Sequence, residues 1–112
     1  MKLSKVISLE QAVSMIPDGA NIGIGGFIGC GHPQEFSVGI EEAFLKSGHP
    51  RDLTIMFSAG IGDGTDKLGL NKLGHEGLLK RIIGGHWGLI PKLQKLVFEN
   101  KVEGYNLSLI HI

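Results

Sequence analysis

Five glycines, at positions 23, 25, 26, 29 and 31, crowd into nine positions of the run Asp18–Pro33, DGANIGIGGFIGCGHP. Glycine is costly in chain entropy unless the backbone must take a positive φ angle or let another group approach closely. The run is therefore the first place to look for a backbone-lined site. It lacks the Lys-Ser/Thr ending of a phosphate-binding loop. Counted from Gly23, Ile28 stands where the third glycine of G-x-G-x-x-G would fall, and counting from Gly26 also misses the spacing, so nucleotide binding has weak support. Backbone amides of the bend, with a helix starting near Pro33, can instead stabilise an oxyanion, a carboxylate or a thioester carbonyl. A purely structural turn is the remaining reading.

Other chemistry-bearing residues are scattered. Cys30 lies near an expected helix start, which lowers a thiol pKa, and His32 is two residues on. A Cys-His couple needs geometry that such neighbours seldom supply, so a small packed residue is the simpler role for Cys30. His75, Glu76 and His86 invite a metal reading but do not form H-E-x-x-H or another tight ligand set; capping and core-edge roles are favoured, and no metal site is expected. Asp63 and Asp66 can hold a cation or a substrate hydroxyl, although Asp beside glycine more often shapes a turn. Trp87 can cover a ligand or join the core. Lys80 and Arg81 can approach a phosphate or carboxylate, or simply be solvated.

These residues must be positioned by regular elements. Ser8 and Gln11 have the spacing of a capping box, and Leu9, Ala12, Val13 and Ile16 follow on one helical face. Pro17-Asp18-Gly19 ends that helix and leads into a strand at 21–24. Pro33 suits the first turn of a second helix, whose apolar face is Phe36, Ile40, Ala43 and Phe44 and which Ser47-Gly48-His49-Pro50 stops. Leu53–Phe57 reads as a buried parallel strand. The glycine-rich loop after it is too long to be mere connection and is expected to make functional contacts. A helical turn is expected over Glu76–Lys80, a strand over Arg81–Ile83 and a third glycine bend over Gly84–Gly88. Leu89, Leu93, Leu96 and Val97 mark a helix over Pro91–Asn100, followed by a strand around Val102–Asn106. The alternation argues for an α/β fold with a partial, open, mainly parallel sheet and flanking helices. Ligands of such sheets sit at the carboxyl ends of strands, where all three glycine bends fall, so the bends are expected to converge on one crevice.

Composition narrows the partners. The 112 residues match one domain or part of one, and 18 glycines exceed the ordinary usage of about 7%. Eleven basic and eleven acidic residues give a net charge of zero, so neither nucleic acid nor a membrane surface is expected as a partner. The single cysteine rules out an internal disulfide, and no leader or membrane-length apolar run is evident, so a cytoplasmic location is expected.

The run from Asp18 through GGFIGCGHP resembles the N-terminal signature of the class I CoA-transferases, including their acetate, propionate and 3-oxoacid members. GDG at 62–64, HEGLLKR at 75–81, GGHWGLIPKL at 84–93 and ENKVEGYN at 99–106 extend the likeness, so it covers nearly all of residues 5–106. The resemblance implies transfer of CoA from an acyl-CoA to acetate, propionate or a 3-oxoacid through a glutamyl-CoA thioester, with the thioester as substrate and no separate cofactor. It implies that Gly25, Gly26 and Phe27 line the acyl and thioester pocket, that Gly31 and Pro33 shape the bend, and that the full-length protein is a homo-oligomer. There are departures. Gly23 interrupts the apolar triplet before the glycine pair, Ile61 stands where a polar Gln is expected, and the motif bearing the nucleophilic Glu is absent.

The expectation is therefore an N-terminal part of a CoA-transferase over residues 1–106, inactive alone and needing a C-terminal half or subunit, with no catalytic residue of its own. Leu107–Ile112, LSLIHI, matches a translated transposon-end sequencing adaptor and is expected to be a non-native tail. Two other classes stay open on the residues alone: a non-catalytic α/β domain sensing a sugar phosphate or small carboxylate, and a stand-alone interaction module.

Overall fold

The computed structural model describes residues 4–111. Helix α1 (Leu9–Ser14) is opened by the expected capping box: the Gln11 amide donates to Ser8 Oγ at 3.2 Å and the Ser8 amide to Gln11 Oε1 at 2.9 Å. Asp18 then ties the turn before strand β1 (Asn21–Gly23) to the loop ahead of the next strand, accepting from His49 Nδ1 at 2.8 Å and from the Arg51 amide at 3.1 Å. The His49 hydrogen bond holds the Asp18 carboxyl below its ordinary pKa. Helix α2 (Gln34–Ser47) closes on Gly48 at φ 76°, whose amide returns to the Phe44 carbonyl at 2.7 Å.

Strands β2 (Leu53–Ala59), β3 (Leu79–Gly85) and β4 (Glu103–Asn106) complete a four-stranded sheet of order β1-β2-β3-β4, every neighbouring pair parallel. Helix α3 (Pro91–Phe98) joins the last two strands. The α/β architecture and parallel sheet agree with the sequence reading. One element differs: the helical turn expected over Glu76–Lys80 does not form. Gly77 sits at φ 90°, outside helical space, and Leu79 and Lys80 already belong to β3, with Leu79 opposite Leu53. Pairing with β2 and burial of Leu78 and Leu79 override the local helical preference.

The long loop after β2 is also more ordered than a connection. A 3₁₀ helix over Gly69–Leu73 drops Leu70 and Leu73 into the core, and the buried Asn71 fastens it. Asn71 Nδ2 donates to the carbonyls of Leu68 at 2.9 Å and Leu89 at 3.3 Å, while its Oδ1 accepts from the Lys92 amide at 3.2 Å. Much of this loop therefore closes the core instead of contacting a ligand.

Burial is one-sided. Leu53, Ile55, Phe57 and Ala59 are buried on β2, alternating with Thr54, Met56 and Ser58, which are not. Across the register, Ile22, Ile55, Ile82 and Gly104 share the helix-covered face, and Gly23, Met56, Ile83 and Tyr105 share the other. Among the described residues nothing covers that second face: Met56 is 44% and Tyr105 49% exposed. There Arg81 pairs with Glu103 at 2.7 Å and lies over the Tyr105 ring, and the hydrogen bond to Glu103 raises the Arg81 pKa. Parallel sheets are ordinarily covered on both faces, and bare apolar surface promotes association. Replacing Met56 and Tyr105 together by Lys is expected to increase the monomeric fraction of the chain in sedimentation velocity; an unchanged distribution would show that this face does not drive self-association.

Candidate functional site at the carboxyl ends of the strands

The three glycine bends do converge. A cavity of about 490 Å³ opens at the strand ends, lined by Phe27 and Ile28 from the first bend, Ser58 and Ala59 from β2, Gly85, His86 and Leu89 from the third bend, and Asn106, Leu107 and Ser108 after β4. The first bend reaches β2 directly, since the Ile28 amide donates to the Gly60 carbonyl at 3.3 Å. Leu107 and Ser108 belong to the segment expected from the sequence to be a non-native tail; the Leu107 amide donates to the Gly84 carbonyl at 3.0 Å.

The first bend is a tight reverse turn. Phe27 and Cys30 exchange backbone hydrogen bonds, at 3.0 Å to the Cys30 carbonyl and 2.9 Å to the Phe27 carbonyl. Gly26 enters it at φ 132°, where a β-carbon would lie 3.2 Å from both the Cys30 carbonyl oxygen and the His32 Cα, so both conformation and space demand glycine. Ile28 holds φ 56°, a region that β-branched residues rarely occupy. Phe27 and Cys30 spend their amides within the turn and Ile28 donates to Gly60, whereas the glycine amides of Gly25, Gly26, Gly29 and Gly31 have no acceptor among the described residues. Of the pocket residues named from the sequence, Phe27 lines the cavity and is 55% exposed, while Gly25, Gly26 and Gly31 belong to the same bend but are not among the lining residues.

The other candidates separate. Cys30 is exposed, and the ring of His32 turns elsewhere, with Nε2 3.1 Å from Ser37 Oγ. His32 Nδ1 is buried without a hydrogen-bond partner, and burial lowers the ring's pKa. His75 bonds Glu41 Oε1 at 2.7 Å, Glu76 pairs with Lys101 at 3.0 Å, and His86 lies in the cavity. Among the described residues no three His, Cys, Asp or Glu side chains gather as metal ligands. Asp63 accepts from the Thr65 amide and hydroxyl, which lowers its pKa, and so shapes a turn. Trp87 joins the core, its Nε1 donating to the Gly84 carbonyl at 3.0 Å and its ring edge-on to Phe57. Ile61, where the resemblance expects Gln, is fully buried. Ser58, His86, Asn106 and Ser108 make up the polar lining. Neither Ser58 nor Asn106 was named as a site residue from the sequence, although Asn106 closes the ENKVEGYN block that carries the resemblance.

The family model for coenzyme A transferase matches residues 6–109. The chain belongs to the coenzyme A transferase family. It is 34% identical over 100 residues to the caffeate CoA-transferase of Acetobacterium woodii, covering 89% of this chain and 19% of that protein. It is 32% identical over 100 residues to the alpha subunit of the acetoacetyl-CoA:acetate/butyrate CoA transferase of Clostridium acetobutylicum, covering 42% of that subunit. The crystal structure of the Escherichia coli O157:H7 acyl-CoA transferase YdiF, in a thioester complex with CoA, is similar with a TM-score of 0.88 and 32% identity over 92% of this chain and 20% of that one. The chain thus spans about a fifth of the length of the caffeate CoA-transferase and of YdiF, and 42% of the alpha subunit. Family and fold agree with the resemblance read from the sequence.

Two outcomes follow from the bend. A left-handed isoleucine costs about 1–2 kcal/mol, and glycine returns part of that as unfolded-state entropy. Ile28→Gly is therefore expected to stabilise the chain by about 0.5–1 kcal/mol, read as a rise in thermal midpoint by circular dichroism; a fall would show that Ile28 packing outweighs its strain. His32 titrates below 6.5 when folded, so the unfolded chain binds more protons just below that pH. Its contribution is complete above pH 6.5 and is lost as pH drops toward the lowered folded value. His32→Gln is expected to flatten the decline in urea midpoint as pH falls from neutrality to mildly acidic; an unchanged slope would contradict the assignment.

Proposed function

We propose that this chain supplies one wall of the active site of an acyl-CoA:carboxylate CoA-transferase, the wall that receives the thioester carbonyl. The observation that carries the reading is the strand-end cavity itself: the first bend reaches it through Phe27 and Ile28, the same bend holds four glycine amides without acceptors among the described residues, and no Asp or Glu is among the lining residues. Attack of a carboxylate on a thioester moves negative charge onto the carbonyl oxygen, and preorganised amides stabilise such charge. Gly25, Gly26 and Gly31 would offer those amides, and Phe27 would pack against the acyl chain.

The attacking carboxylate comes, in this reading, from a C-terminal half or partner subunit. Glu76 and Glu99 are poor substitutes, since they pair with Lys101 and Lys95 and neither lines the cavity. The glutamate oxygen bonds to the acyl carbonyl carbon, the C–S bond breaks and CoA leaves as thiolate. The thiolate then takes the glutamyl group, freeing the acid as carboxylate and leaving a glutamyl-CoA thioester, which the acceptor acid reverses. Acetate, propionate or a 3-oxoacid would serve as acid, in a reducing, cytoplasmic setting, and the complete protein would be a homo-oligomer. The uncovered sheet face is where the rest of that protein would pack.

The test combines this chain with the portion of a related CoA-transferase that follows the matched region. Joined, the protein is expected to move CoA from acetyl-CoA to propionate and to accumulate a hydroxylamine-sensitive enzyme thioester, while the 112-residue chain alone does neither. Transfer by the chain alone, or none by a folded joined protein, would overturn the reading.

A further inference from the structure

His86 is the one lining residue of the strand-end cavity that can carry a charge; the others are Phe27, Ile28, Ser58, Ala59, Gly85, Leu89, Asn106, Leu107 and Ser108. Its backbone is held in the left-handed region at φ 54° and ψ 63°, where an ordinary L-residue is uncommon. Both neighbours pin it. A β-carbon at Gly60 would collide with the His86 carbonyl oxygen, and one at Gly85 would lie 2.6 Å from the Leu107 carbonyl oxygen, so the corner is packed backbone against backbone. On the other side Trp87 is fastened to Gly84 and stacked edge-on against Phe57. The residue is exposed, and among the described residues its ring has no hydrogen-bond partner. An unusual backbone state thus holds an unpaired imidazole at the mouth of an otherwise neutral cavity.

CoA transfer places two different species in one acyl pocket in turn: a neutral thioester and an anionic free acid. An apolar cavity accepts the first unaided. The second loses hydration on entering, which is costly for a carboxylate without a donor, and a charge-assisted hydrogen bond is the usual compensation. We propose that His86 is the residue that binds the free carboxylate of the acid substrate, donating a ring N–H to it, and so distinguishes acid from acyl-CoA at this site. This rests on the CoA-transferase reading above.

The test uses the complete transferase, this chain joined to the remainder, with His86→Ala and His86→Gln. In His86→Ala the KM for acetate or propionate is expected to rise about tenfold or more, with a much smaller change in the KM for acyl-CoA and in single-turnover formation of the hydroxylamine-sensitive thioester. Gln keeps a donor without the charge and is expected to recover part of the loss. Thioester formation serves as the fold control, because it needs acyl-CoA but no added acid. An unchanged acid KM, or an equal rise for both substrates, would overturn the role of His86. Loss of thioester formation in both variants would do so as well, since the residue would then serve the whole reaction. In each of these cases an active wild-type enzyme would leave the CoA-transferase reading standing, whereas a folded wild type that forms no thioester would remove that reading itself.

Discussion

Three successive parallel pairings in the order β1-β2-β3-β4 are the constraint on which the rest of this structure depends. Each strand must return to the same end of the sheet before the next begins, and crossovers of this kind take one hand. Repeated in one direction, that hand stacks every helix on one face. The alternation along β2 records it: Leu53, Ile55, Phe57 and Ala59 enter the core while Met56 and Ser58 stay outside. The same geometry aligns the carboxyl ends of the strands, so bends far apart in sequence share one cavity. A single topological rule thus produces both a site and an unfinished surface.

Inside the site, stability and chemistry compete for the same backbone groups. The turn from Phe27 to Cys30 uses its own amides to close, which leaves neighbouring glycine amides without acceptors and forces Ile28 into a conformation that disfavours it. His86 repeats the pattern at the end of β3, held left-handed by close backbone packing on Gly60. Strain at two facing corners of one cavity is intelligible when the position of the polar groups matters more than local comfort. The strong packing elsewhere, through Phe57, Leu53, Ile55, Ile82 and the Asn71 staple, is what holds those corners in place.

Much of this was legible in the residues. The capping box at Ser8 and Gln11, the helix stop at Ser47–Pro50 and the apolar face of α3 are local signals, and each formed as read. The convergence of the glycine bends followed from the parallel alternation. The misreadings share a cause. Glu76–Lys80 looked helical because its local pattern is helical, but Gly77 and the pairing of Leu79 with Leu53 belong to long-range structure. The loop after β2 was expected to make functional contacts because it is long and glycine-rich; Ile61, Leu70 and Leu73 put part of it in the core, while residues 63–67 stay exposed. Ser58 and Asn106 were not singled out as lining residues because a polar residue at a strand end carries no spacing signature until the sheet register is known.

The central claim is that this chain contributes the amide-lined wall of a CoA-thioester site and that the attacking carboxylate comes from elsewhere. The most direct measurement is a crystal structure of the complete transferase containing this chain, trapped with an acyl-CoA. The account predicts the acyl carbonyl carbon in the strand-end cavity beside Phe27, its oxygen within hydrogen-bonding distance of a glycine amide of the first bend, and the attacking carboxylate on a residue outside 4–111. An acyl group seated between α1 and α2, or attacked by Glu76 or Glu99, would contradict it.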